Sequence, residues 1–174
     1  MSDSEAIGNP DHNNPDHDSP DNKRIFLVVV DESPELKVAL RYACLRAKKS
    51  GGRVALLYVI EPAEVQSWLA VETLMREEQR AEAEQKLQKL AREVNASTGA
   101  VPILYIREGD RRDELMALID EEPGISILVL GAGIEPEGPG PLISFFAGRG
   151  VGRLRIPLTI VPGGLSEDQL DAIT

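Results

Sequence analysis

Six apolar residues, Ile25 to Val30, run without alternation and stop at Asp31. A strand with that pattern is buried on both faces, as central strands of parallel sheets are. Ser33 and Pro34 then predict an N-cap and a first helical position. The helix expected over Pro34 to Lys49 carries an apolar stripe at Leu36, Leu40, Ala43, Cys44 and Ala47, and Gly51-Gly52 ends it. Arg53 to Ile60 is a second apolar strand, stopped by Glu61-Pro62. Strand, helix and strand in this span make a parallel βαβ unit with a right-handed crossover.

Residues 64–95 read as one long helical region with unlike halves. Ala83, Leu87, Leu90, Ala91 and Val94 form a stripe suited to packing on a sheet, whereas Arg76 to Lys86 is almost wholly polar apart from alanines. Val65, Trp68, Leu69, Val71, Leu74 and Met75 do not continue the stripe. They are either a satellite contact over the sheet edge or a patch for a partner or a dimer. Pro102 to Ile106 is a third strand, and Asp110 opens a helix with Leu115, Leu118 and Ile119 inward. Ile125 to Leu130 is a fourth strand, followed by a Gly- and Pro-rich loop to Pro141. A glycine-weakened helix is expected over 142–154, then a strand from Ile156 to Val161. Pro157 cannot donate a ladder bond, which places that strand at an edge. The alternation predicts an α/β fold, a five-stranded parallel sheet sandwiched by helices.

Composition divides the chain further. Residues 1–22 hold no Lys or Arg, three prolines and the acids Asp3, Glu5, Asp11, Asp16, Asp18 and Asp21. They are expected to be a disordered acidic tail, and they lack the apolar core of a signal peptide. Residues 23–165 are the expected domain and 166–174 a short polar tail. The net charge of −10 falls to −4 once the acidic segment is set aside. That balance argues against nucleic acid or an anionic membrane as the main partner. A single cysteine, Cys44, suits the cytoplasm, and its place on the helix stripe reads as a small buried hydrophobe.

Candidate chemistry is sparse. Both histidines, His12 and His17, lie in the acidic segment, which leaves the domain without an imidazole for nucleophile activation or a zinc site. The loop Gly131-Ala-Gly133-Ile-Glu-Pro-Glu-Gly138-Pro-Gly140-Pro141 resembles a phosphate cradle but fails its stricter tests. Pro136 stands where a dinucleotide fingerprint needs glycine or alanine, and Pro139 stands where a Walker motif needs lysine. Glu135 and Glu137 add negative charge, and three prolines remove N–H donors. Asp31, at the carboxyl end of the central strand, has two readings. It could hold a ribose hydroxyl or a metal, or it could satisfy backbone donors of the next turn.

Val28-Val-Val-Asp-Glu-Ser-Pro34, Leu56-Leu-Tyr-Val-Ile-Glu-Pro62, Arg107-Glu-Gly109, Leu128-Val-Leu-Gly131 and Ile156-Pro-Leu-Thr-Ile-Val-Pro162, in this order, resemble the universal stress protein family. The resemblance covers roughly residues 24–163. It implies a Rossmann-like, adenine-nucleotide-hydrolase-type fold with strand order 3-2-1-4-5. It also implies a cytoplasmic homodimer built on the last strand, here Leu158, Thr159, Ile160 and Val161. Some members bind ATP. For those, the resemblance places the nucleotide on Asp31, the adenine at Val59 and the phosphates on a glycine pattern beginning at Gly131. The second glycine of that pattern falls on Ile134 and its closing Gly-Ser or Gly-Thr pair on Ser144-Phe145, so only Ser144 keeps a hydroxyl. The expectation is a non-catalytic stress-response protein acting on an unknown protein partner, with no certain cofactor or metal and with ATP binding weak or lost. An adenine-nucleotide switch, taking ATP or AMP, is the alternative.

Overall fold

A computed structural model of the chain describes residues 23–62, 69–136 and 138–174. The acidic segment 1–22, together with Val65 and Trp68, lies outside the described residues. Five strands, β1 (Ile25–Val30), β2 (Arg53–Ile60), β3 (Ile103–Glu108), β4 (Ile125–Ala132) and β5 (Leu158–Pro162), form one parallel sheet in the order β3-β2-β1-β4-β5. β1 is central, and Phe26 to Val30 are buried in sequence because helices cover both faces.

Side chains alternate between two cores. Phe26, Val28 and Val30 point to one, where α1 (Leu36–Ser50) and α2 (Leu69–Thr98) pack; Leu87 and Val94 of α2 are buried there. Leu27 and Val29 point to the other, under α3 (Arg111–Glu121) and α4 (Pro141–Phe145). Asp110 starts α3 as expected: its carboxylate accepts from the N–H groups of Arg112 and Asp113 at 2.9 and 3.1 Å. Among the described residues no helix is long and apolar enough to cross a membrane.

Four expectations need correction. α1 begins at Leu36, not Pro34, because Ser33 is drawn back onto Asp31 and Glu35 takes the N-cap position. The region 142–154 is not one helix. After Phe145 the chain widens into a π-type turn (Phe146–Gly150) and tightens into a 3-10 turn (Val151–Arg153). A Cβ at Gly150 would stand 2.5 Å from the Phe145 ring, which itself stacks edge-on against Phe146 at 5.1 Å. β5 starts two residues late, after Pro157, whose carbonyl accepts from Leu128 N–H at 2.9 Å.

The largest correction is at the chain end. Residues 166–174 are not a tail but a helix, α5 (Glu167–Ile173). Ser166 and Gln169 form a reciprocal capping box, and Leu170 is buried in the α1 core. Arg41 of α1 pairs with Glu167 and Asp171 on the outer side of the same helix.

Candidate functional site

β1 and β4 are neighbours that end at the same edge of the sheet, and the chain leaves them in different ways. After β1 it turns at once into α1; after β4 it wanders through the glycine loop. The space between is a cleft of about 230 Å³, lined by Asp31 and Ser33 on one side and by Gly131, Gly133 and Glu135 on the other. Asp31 and Gly131 are therefore brought together. Val59 and Ser144 are not: Val59 is buried in β2, one residue past the end of the β1 ladder, and Ser144 is exposed on α4.

Asp31 realises its structural reading at one oxygen. Its Oδ1 accepts from Ser33 N–H at 3.0 Å and from Ser33 Oγ at 2.7 Å, which fixes the turn into α1. Its backbone carbonyl accepts from Lys86 Nζ at 2.9 Å, and the same ammonium is paired with Glu32. Lys86 thereby ties α2 to the end of β1.

The glycine loop uses its own donors. Gly133 N–H donates to the Pro139 carbonyl at 3.2 Å, and Gly138 N–H donates to the Glu135 carbonyl at 3.0 Å. Neither N–H is free to receive an anion such as a phosphate. The cleft also carries the carboxylates of Asp31, Glu35 and Glu135, with one cation, Arg111, lining it. Arg111 pairs through its terminal nitrogen with Glu61 Oε2 at 2.9 Å, while its buried Nε has no hydrogen-bond partner. Glu35 and Arg111 escaped sequence reasoning. Each stands at a helix start far in sequence from the glycine loop, and no local spacing connects them to it.

Cys44 lies on the floor of a second, larger groove of about 470 Å³ between α1 and α2. Burial pushes its thiol up to about 11, against the opposing effects of a hydrogen bond with Ser97 and the charge of Arg41. It is an inert core group. The rim of that groove mixes Lys37, Lys86 and Lys89 with Glu32, Glu93 and Glu167.

The family model of the universal stress protein family matches residues 23–162, most of the chain and all five strands. The chain belongs to the universal stress protein family. Solved structures with the same fold include the universal stress protein UspA from Lactobacillus plantarum. It is 19% identical, with a TM-score of 0.66 over 80% of this chain and 98% of that one. A protein of the universal stress protein family from Burkholderia pseudomallei is 20% identical, with a TM-score of 0.60 over 83% and 98%. A family protein from Arabidopsis thaliana, solved with AMP bound, is 17% identical, with a TM-score of 0.55 over 84% and 94%. At these identities the likeness is one of fold. No curated protein matches the chain. Within the universal stress protein fold, then, Asp31 and Gly131 line one cleft whose loop N–H groups at Gly133 and Gly138 are bonded within the loop.

Proposed function

We propose that this universal stress protein is a non-catalytic, cytoplasmic, dimeric stress-response protein that acts through protein contacts, and that its cleft does not hold a triphosphate. The observation that carries the reading is the loop: the N–H groups of Gly133 and Gly138 serve the carbonyls of Pro139 and Glu135. Three carboxylates line the same cleft, and its volume is below the roughly 300–1,000 Å³ of ordinary ligand pockets. The absence of an imidazole outside residues 1–22 supports the non-catalytic part. For contacts, Leu74 near the start of α2 is largely exposed, and β5 is an edge strand with Ile160 outward.

A second reading, an adenine-nucleotide switch, is favoured by the juxtaposition of Asp31 and Gly131 and by the AMP in the Arabidopsis relative. A thermal-shift titration with ATP, ADP, AMP and adenosine, with and without Mg²⁺, separates the two. A ligand that binds only the native state raises the melting temperature with concentration. The expected result is no shift with ATP. A saturable ATP shift that disappears in Asp31→Ala would establish the switch instead.

A further inference from the structure

Three glycines at the ends of β4 and β5 lie beside Glu35, Gly133 also against the Gly138 carbonyl and Gly163 against that of Ala132. A Cβ at Gly131 would lie 2.5 Å from the Glu35 carbonyl oxygen and 2.8 Å from Glu35 Cβ. One at Gly163 would lie 2.6 Å from Glu35 Cγ, and one at Gly133 would lie 3.7 Å from Glu35 Oε1. The Glu35 side chain therefore runs along the ends of β4 and β5, from Gly131 toward Gly133 and Gly163, on the wall of the cleft. It arrives there because Asp31 holds Ser33, which delays α1 until Leu36 and leaves Glu35 at the N-cap position.

A helix N-terminus carries unsatisfied N–H groups and about half a positive charge, which is what attracts phosphates to the starts of helices in folds of this kind. α1 is a helix of 15 residues aimed at this cleft, yet Glu35 is not a side-chain cap for it. Its carboxylate instead lies beside Gly133 and Gly163 and adds a third negative charge, with Asp31 and Glu135, to the lining of the cleft. Among the described residues that line the cleft the one cation is Arg111, which pairs with Glu61 through its terminal nitrogen and leaves its Nε without a partner.

We infer that Glu35 is the specificity-determining residue of the cleft: a built-in anion that rejects phosphate-bearing ligands in favour of uncharged ones. This rests on the reading that the cleft does not hold a triphosphate, and it names the residue responsible. The geometry predicts that removing the charge alone is enough to relax the rejection, and that removing the side chain relaxes it further.

The test uses the full chain as wild type, Glu35→Gln, Glu35→Ala and Glu35→Asp, titrated in thermal-shift experiments with adenosine, AMP and ATP. Glu35→Gln keeps the shape of the side chain, so a fold defect in Glu35→Ala does not leave the question open. The expected result is that Glu35→Gln and Glu35→Ala bind AMP about tenfold or more tighter than wild type, as removal of one close like charge in a half-buried site implies. Adenosine responses should change little, and Glu35→Asp should behave as wild type. If both neutral variants melt cooperatively but show no gain for AMP over adenosine, the inference is overturned. The wild-type ATP response is a separate readout. A strong shift there would overturn the proposed function, while the ratio of AMP to adenosine across the variants would still decide the role of Glu35.

Discussion

Cys44 is 4% exposed on the inner stripe of α1, and desolvation holds its thiol protonated to about pH 11, from an ordinary value of 9.0. Between those two values the unfolded chain has released this proton and the folded chain has not, so stability falls as pH rises through the window. The contribution is fully present below pH 9 and lost by the time pH passes 11. Urea unfolding at pH 8 and pH 10.5 should show wild type losing about 1–2 kcal/mol more than Cys44→Ala over that interval. Equal losses in the two proteins would show that the thiol titrates freely in the fold. Glu35 has the opposite character: few interior contacts depend on its carboxylate, and its effect lies in what it keeps out.

At the scale of elements, α5 makes the sharpest claim. Leu170 is its one buried side chain, and truncation leaves a cavity against α1. Leu170→Ala should lower stability by about 2–4 kcal/mol, and Ser166→Ala by about 1 kcal/mol through loss of the cap. Denaturant unfolding would check both, and changes under 0.5 kcal/mol would mean that the helix is not docked in solution. This element was hidden in the sequence because seven residues with a single apolar anchor show no period. Its only signal was the Ser166-x-x-Gln169 capping pattern. The strands were legible because continuous apolar runs such as Ile25 to Val30 have few other uses. Asp31 and Gly131 could be paired in advance because each ends a strand of a sheet whose order was expected. Glu35 could not, since its place depends on a turn at Ser33 and on two strands that lie about a hundred residues further along the chain.

For the whole molecule, β5 leaves one side of the sheet unpaired. Ile160 is 43% exposed there and Leu158 and Thr159 are half-buried, whereas the side chain of Val161 faces the α1 core. If copies pair along this edge, Ile160→Glu puts a charge into the seam while sparing the core. Sedimentation should then find a dimer for wild type and a monomer of unchanged fold for Ile160→Glu. A wild-type monomer would remove β5 as the interface. The strand order also has a temporal side. β2 follows β1 closely, but β4, the other neighbour of β1, begins at Ile125, 65 residues after β2 ends at Ile60. At about 5–20 residues per second, a ribosome needs roughly 3–13 s to cross that interval. Strand pairing takes microseconds to milliseconds once partners are present. Throughout that wait a nascent β1–β2 pair offers the bare, wholly apolar edge of Ile25 to Val30 to any other chain, and it is during synthesis, more than in the finished fold, that this protein needs shelter from aggregation.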